Sequence, residues 1–135
     1  MNIVFLSTEA VPLAKTGGLA DVCGALPTQL AQRGHRVTLI MPAFRSIYAS
    51  GIPIEPTEIS FALLMRQSVV GARLLRAELP GGDHPVEVYF IDQPQYYDRP
   101  SLYGDASGDY SDNCERFAFF CRGAVQAIER LGRPV

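Results

Sequence analysis

A glycine turn that contains one lysine lies near the start of the chain, in the segment Lys15-Thr16-Gly17-Gly18-Leu19-Ala20-Asp21-Val22. An apolar run typical of a buried strand precedes it, and a segment with helical periodicity follows it. Adjacent glycines bring bare N–H groups close to a ligand, and the positive end of a helix dipole favours phosphate. Lys15 is the one lysine of the chain, beside eleven arginines. The pattern predicts an anion site with this ammonium aimed at a phosphate; the alternative is a solvated loop lysine beside a structural Gly-Gly.

The spacing of the glycines distinguishes the common ligands of such a turn. The dinucleotide fingerprint G-x-G-x-x-G is absent, because the next glycine is Gly24. No acid lies between Val22 and Ile54 to bind the ribose of NAD, whereas Arg45 leaves an NADP site open as an alternative. A Walker A motif is excluded because the lysine precedes the glycines. A nucleoside phosphate bound in another way is therefore the favoured ligand.

The flanking segments predict that this turn lies at the carboxyl edge of an α/β sheet. Residues 2–7 and 35–41 predict parallel strands buried on both faces, and a helix over about residues 18–33 connects them. In such a βαβ unit the loop of residues 8–17 opens where α/β sheets bind their ligands. The predicted buried face of the helix carries Leu19, Val22, Cys23, Leu26 and Leu30.

The middle of the chain has the periodicity of strands. Residues 59–65 alternate, and residues 69–79 and 86–92 are extended runs, so we expect hairpin-connected additions to the sheet. Residues 93–108 are rich in Tyr, Pro, Gly and Asp and predict a long loop without regular structure on the same ligand edge. Loops of that length usually carry function.

A second helix is predicted from the N-cap Asp112 to about Leu131. Glu115, three residues after the cap, completes the pattern of a capping box, and Gly132 and Pro134 are expected to end the helix. The predicted buried face carries Phe117, Cys121, Ala124, Ile128 and Leu131. The parallel strand that should follow is missing, so we expect the chain to be a piece of a larger one.

Composition excludes several classes of function. The chain is 47% hydrophobic and 19% charged, with a net charge of -2, so it has no basic surface for nucleic acid or an anionic membrane. It contains neither a membrane-length apolar run nor a signal peptide, and we expect a cytoplasmic protein. Its three cysteines show no C-x-x-C spacing and its two histidines have no ligand partners, so buried free thiols and no metal are expected.

Several motifs together resemble one known family. The run Ser7-Thr8-Glu9-Ala10-Val11-Pro12, followed by KTGGLADV and GALP, is similar to the amino-terminus of bacterial glycogen synthases and plant starch synthases, whose hallmark is K-x-G-G-L. The match continues in the same order and covers nearly the whole chain, through Leu39-Ile40-Met41-Pro42, Asp98-Arg99-Pro100 with Tyr103, and Asp112-Asn113-Cys114-Glu115-Arg116-Phe117.

The resemblance implies a retaining glucosyltransferase of the GT-B architecture, in which two Rossmann-like domains face each other across a cleft. Residues 1–135 would be most of the first domain, incomplete at its C-terminus, and the second, nucleotide-sugar domain is absent from the chain. The implied fold is a Rossmann-like three-layer α/β/α arrangement with a mostly parallel sheet plus hairpin additions.

The reaction implied by the family transfers glucose from ADP-glucose to the non-reducing 4-hydroxyl of an α-1,4-glucan, glycogen or starch. No cofactor and no metal are expected, because ADP-glucose is a substrate. The family's His-Ala-His-Asp-type segment would begin past Val135, so this chain alone should be inactive. Two alternatives stay open: another GT-B transferase with a different nucleotide sugar or acceptor, and a non-catalytic nucleotide- or phosphate-binding module. The oligomeric state is undetermined.

The family's site residues are carried over onto this sequence as expectations. Lys15 would contact the donor phosphates and stabilise the leaving group, and the amides of Gly17 and Gly18 would lie against the donor. Asp21 would face the sugars or act as a first-turn acid that complements the helix dipole. Glu9 would likewise bind substrate near the sugars or, as the favoured alternative, orient the loop. Tyr103 would stack on a glucose ring or serve in loop packing.

Overall fold

A single five-stranded sheet with helices against it forms the body of the chain. The computed structural model describes residues 1–133. The strands of this sheet are β1 (Asn2–Leu6), β2 (Arg36–Pro42), β3 (Glu55–Met65), β4 (Ser68–Leu79) and β5 (Val86–Asp92). The helices are α1 (Gly18–Gln32), α2 (Pro94–Tyr97) and α3 (Asn113–Leu131), with a short 3₁₀ helix at Arg45–Ala49. These elements confirm the predicted α/β class.

The sheet is mixed, with the strand order β1-β2-β5-β4-β3. The pairs β1–β2 and β2–β5 are parallel, as in Phe5 opposite Leu39, which confirms the predicted βαβ unit. The predicted hairpin additions supply the antiparallel pairs β3–β4 and β4–β5. β1, β2 and β5 therefore end at the same edge, and the loops that follow them lie side by side.

The core lies on both faces of the central strand β5. A Cβ placed on Gly123 of α3 would lie 3.2 Å from the Cδ1 of Ile91, so α3 packs closely on that face. Val88 and Phe90 alternate with Ile91 and are fully buried on the opposite face. α1 packs against β2 and β5. Helices on the two sides of the sheet give the predicted three-layer arrangement.

Strand β1 and helix α1 are less covered than predicted. β1 is at the edge of the sheet, and Leu6 at its end is 48% exposed. The large apolar side chains Leu19, Val22 and Leu26 of α1 are also exposed, so the predicted buried face is wrong at these three positions. Its other two members, Cys23 and Leu30, are partly buried against the core. The residues that α1 buries are the small or compact Ala20, Pro27 and Ala31. Small side chains let a helix axis approach its neighbours closely, and this determined the face that packs inward.

Helix α3 begins after the N-cap residue Asp112 and ends at Leu131, as expected, but the predicted capping box does not form. Asp112 makes no side-chain cap hydrogen bond, because both carboxylate oxygens accept from the guanidinium of Arg99, at 2.6 and 2.5 Å. The bidentate pair gives the carboxylate two charge-assisted bonds to a full cation, whereas a cap would give it bonds to backbone amides. Gly132 closes the helix with φ +62, and Pro134 lies outside the described residues.

The face that α3 buries differs from the prediction by part of a turn. Its buried residues are Arg116, Phe119, Phe120, Gly123, Ala124 and Ala127. Cys121 is exposed, as is Cys114, and Cys23 is half-buried, so the expectation of buried thiols is also wrong. The segment 93–108 is not structureless, since it contains α2 and the first strand of a small hairpin, β6 (Gly104–Asp105) and β7 (Gly108–Asp109).

Candidate functional site

The loop after β1 is anchored on both sides of its turn. Ala10 and Ala14 form an isolated antiparallel bridge, and the amide of Val11 donates to the carbonyl of Ala20 in α1. Val11 also lies directly against Gly24, where a Cβ would come within 2.4 Å of the Val11 Cγ2. Gly24 is therefore needed for the close approach of loop and helix. These contacts fix both ends of the glycine turn against α1.

Lys15 and Asp21 form an ion pair across the start of α1. The Nζ of Lys15 donates to the Oδ1 of Asp21 at 2.8 Å, and both side chains are about half exposed. The ammonium is therefore held beside the N-terminus of the helix, where backbone N–H groups and the helix dipole also favour an anion. In the described chain the partner of Lys15 is Asp21, and a contact between Lys15 and a phosphate stays a prediction.

The backbone conformations at Gly17 and Gly18 do not require glycine. Gly17 is extended, with φ -161 and ψ -161, and Gly18 has no positive φ. A Cβ on either residue would meet no heavy atom within 4 Å in the described part of the chain. The backbone of these two glycines is therefore open, and a side chain at either position would not disturb the packing of the described residues.

The buried carboxylate of Glu9 accepts hydrogen bonds from the backbone of the glycine turn. Glu9 is 4% exposed, and its Oε1 accepts from the amides of Thr16, at 2.5 Å, and Gly17, at 3.2 Å. Its Oε2 accepts from the hydroxyl of Tyr103 at 2.7 Å. The structure thus gives Glu9 the role of orienting the loop. The Gly17 amide therefore already has an acceptor in Glu9, and contacts of the Gly17 and Gly18 amides with a ligand stay a prediction.

The same contacts shift the pKa values of both side chains. Burial raises the pKa of Glu9, but the hydrogen bonds from Tyr103, Thr16 and Gly17 together outweigh it, so this pKa lies below its ordinary value. Burial and the bond to Glu9 raise the pKa of Tyr103 to about 12. Glu9 is therefore an anion and Tyr103 a neutral donor near neutral pH.

Tyr103 reaches this loop from a distant part of the sequence. Its hydroxyl also contacts the Oγ1 of Thr8 at 2.8 Å, and its ring packs on Phe117, with ring centroids 5.7 Å apart. The structure therefore brings Glu9, Lys15, Gly17, Asp21 and Tyr103 together. Whether the Tyr103 ring also stacks on a sugar stays a prediction.

Sequence reasoning missed the residues that support Tyr103. The Nδ2 of Asn113 donates to the carbonyl of Tyr103 at 2.8 Å, and the Nη1 of Arg116 donates to the carbonyl of Leu102 at 2.9 Å. Arg116 is fully buried and also donates from Nε to the carbonyl of Tyr96. Burial lowers the pKa of its guanidinium. One signal was available, since Arg116 continues the buried face of Phe120, Gly123 and Ala127 at helical spacing.

The family model described as the starch synthase catalytic domain matches residues 2–135. The chain belongs to this family. The starch synthase catalytic domain family was also the one that the motif K-x-G-G-L and its companion segments indicated, so that prediction is confirmed.

Relatives with curated names agree with this membership. The chain is 61% identical over its whole length to a glycogen synthase of Rhodopirellula baltica, of which it covers 28%. It is 42% identical over 98% of its length to a glycogen synthase of Syntrophotalea carbinolica, of which it covers 26%. The chain thus spans just over a quarter of the length of these relatives.

A solved structure has the same fold as this member of the starch synthase catalytic domain family. It is the catalytic domain of starch synthase IV from Arabidopsis thaliana, bound to ADP and acarbose. The TM-score is 0.80 and the identity 24%, with 96% of this chain and 25% of that chain covered. The likeness supports the GT-B assignment of the fold. Over residues 1–133, no helix is both long enough and apolar enough to cross a membrane.

Proposed function

We propose that the protein of which this chain is a part is a glycogen synthase. It transfers glucose from ADP-glucose to the non-reducing 4-hydroxyl of an α-1,4-glucan with retention of configuration. The observation that carries the proposal is the 61% identity, over the whole chain, to a glycogen synthase. The ADP and acarbose bound to the Arabidopsis enzyme support a nucleotide and a glucan as ligands of the same fold.

The glycine turn supplies what this reaction requires at the leaving group. As the bond to the anomeric carbon breaks, the sugar becomes oxocarbenium-like and negative charge grows on the diphosphate. Lys15, which is half exposed at the start of α1, would place a cation there. The open backbone at Gly17 and Gly18 would let the donor approach the helix N-terminus. In this proposal Asp21 releases Lys15 to the phosphates and lies near the sugars.

The chain by itself is proposed to be inactive. It contributes one wall of the cleft, and the remaining catalytic groups would come from the second domain. Measurable transfer of glucose by the 135-residue chain alone would contradict this statement.

The proposal includes three accompanying statements. The reaction needs no resident cofactor or metal, because Lys15 and backbone amides supply the positive charge. The partners are the nucleotide sugar and the glucan, with no nucleic acid, in keeping with a net charge of -2. The enzyme is cytoplasmic.

The test is incorporation of labelled glucose into glycogen by the intact protein, with ADP-glucose and UDP-glucose compared at equal concentration. Transfer from ADP-glucose supports the proposal. Transfer from another nucleotide sugar alone, or to another acceptor alone, would favour a different GT-B transferase. Binding of ADP with no transfer to any acceptor would favour a non-catalytic nucleotide module.

A further inference from the structure

Within residues 1–133, the hydroxyl of Tyr103 makes the one hydrogen bond between the Glu9 carboxylate and the loop that precedes α3. The two residues are 94 positions apart in the sequence, and the bond between them is 2.7 Å long. The Glu9 carboxylate can only accept, so the Tyr103 hydrogen is directed at Oε2. The Oγ1 of Thr8, 2.8 Å from the same hydroxyl oxygen, is then the donor in that second contact. The geometry therefore fixes both the rotation of the hydroxyl and its acceptor.

Glu9 needs this donor because its carboxylate is buried. A buried carboxylate is stable only when its oxygens are hydrogen-bonded. Oε1 has two backbone donors, Thr16 and Gly17, which belong to the glycine turn. Oε2 accepts from Tyr103. Without the hydroxyl, Oε2 would have to find water by turning, and a turn of the carboxylate would draw Oε1 away from the two amides.

Tyr103 is itself held from helix α3. Its carbonyl accepts from the Nδ2 of Asn113 and from the amide of Tyr110, at 2.8 and 2.9 Å. The preceding carbonyl, that of Leu102, accepts from the buried Arg116, which also donates to the Oδ1 of Asn113 at 2.7 Å. A rigid helix thus fixes the backbone on both sides of the peptide that carries Tyr103.

We propose that Tyr103 is a positioning residue for the glycine turn. Its hydroxyl holds the Glu9 carboxylate against the amides of Thr16 and Gly17. This contact keeps Lys15 and the amide of Gly18 in a fixed geometry for binding the nucleotide-sugar substrate. The role in donor binding rests on the function proposed above; the role in ordering the turn does not.

The test compares Tyr103→Phe with Tyr110→Phe in the intact protein. Tyr110 lies in the same loop, is half-buried like Tyr103, and packs its ring on Arg99 and Arg116, 4.8 and 5.1 Å from the two guanidinium carbons. Within the described residues its hydroxyl does not reach Glu9. Both variants therefore remove a hydroxyl and keep the ring, and only the first removes a donor to the carboxylate.

The first readout is amide hydrogen exchange of the peptide covering residues 15–18, measured without substrate. Loss of one charge-assisted bond should speed exchange in Tyr103→Phe by about five- to tenfold, with Tyr110→Phe close to the parent protein. Unchanged exchange in Tyr103→Phe, or an equal change in Tyr110→Phe, overturns the positioning role whatever the activity is.

The second readout is steady-state kinetics. Tyr103→Phe should raise the KM for ADP-glucose by about three- to tenfold and leave the KM for glycogen unchanged, since the turn faces the donor. If Tyr103→Phe is active and shows faster exchange but an unchanged KM for ADP-glucose, the proposed role of Tyr103 in binding ADP-glucose is wrong. If exchange rises but the parent protein transfers no glucose, the positioning role stands and the proposed function fails.

Discussion

The Nζ of Lys15 lies 2.8 Å from the Oδ1 of Asp21, and the two side chains are 52% and 58% exposed. A pair this exposed contributes little to stability, about 0–1 kcal/mol, and exchanges readily for a stronger partner. A diphosphate carries more charge than one carboxylate and forms charge-assisted bonds with an ammonium. The pair therefore keeps Lys15 at the helix N-terminus without preventing it from binding a donor.

Replacing Lys15 by alanine in the intact protein should slow transfer from ADP-glucose about ten- to a hundredfold, because a charged contact worth about 1.5–3 kcal/mol is lost at the leaving group. Initial rates of glucose incorporation measure this. The matched control is Arg33→Ala, which removes an exposed positive charge from the other end of α1 and should leave the rate unchanged. A Lys15→Ala variant as active as the parent would show that the glycine turn is not the phosphate site.

Gly17→Ala should leave the fold intact and weaken the binding of ADP. Gly17 is extended and a Cβ there meets no described heavy atom within 4 Å, so the methyl group costs the free protein little. It would occupy the space where the donor is expected. Titration calorimetry with ADP, beside a thermal melt of the same sample, separates the two effects. Unchanged affinity would mean that the donor does not approach this backbone.

Gly24→Ala, unlike Gly17→Ala, should destabilise the folded chain, by about 1–3 kcal/mol. In an exposed helix interior this change usually stabilises, since alanine has the higher helix propensity. Here the new Cβ would lie 2.4 Å from the Cγ2 and 2.8 Å from the carbonyl oxygen of Val11. Urea unfolding followed by circular dichroism measures the change. Ala25→Gly, at the exposed neighbouring position of α1, is the reference for helix propensity alone.

Glu9→Gln should lower the stability of the chain at neutral pH and not at low pH. Because the folded-state pKa of Glu9 is below its ordinary value, the stability that its charge contributes is present above the unfolded-state pKa. It is lost as the pH falls through the folded-state pKa. The free energies of unfolding of the two proteins, about 1–3 kcal/mol apart at pH 7, should therefore converge as the pH falls through the folded-state pKa of Glu9. A difference that persists unchanged to low pH would contradict this account.

Arg116→Met should destabilise the chain by more than about 3 kcal/mol, because two buried carbonyls and the Asn113 side chain lose their donor. Arg130→Met is the control on the same helix. Arg130 is exposed and donates to the carbonyl of Ser60, so its loss should cost about 0.5 kcal/mol or less. An equal loss of unfolding free energy in the two variants would contradict the view that the buried hydrogen bonds of Arg116 cause its larger effect.

Most of the local structure of this protein could be predicted from local patterns in its sequence. The glycine turn, the βαβ unit and the hairpin follow from glycine spacing and from apolar runs of strand length, and the limits of α3 follow from its polar start and from Gly132. The strands, helices and turns that make up these units each depend on residues close in the sequence, so propensity and periodicity suffice to predict them.

Only the tertiary structure decided which side chains meet. Asp112 accepts from Arg99 instead of capping α3, and α1 buries Ala20 and Ala31 rather than its larger apolar residues. The bond between Tyr103 and Glu9 joins residues 94 positions apart. Such partners are selected by the packing of elements around a shared core, where burial decides which polar groups must be satisfied. No local pattern in the sequence carries that information.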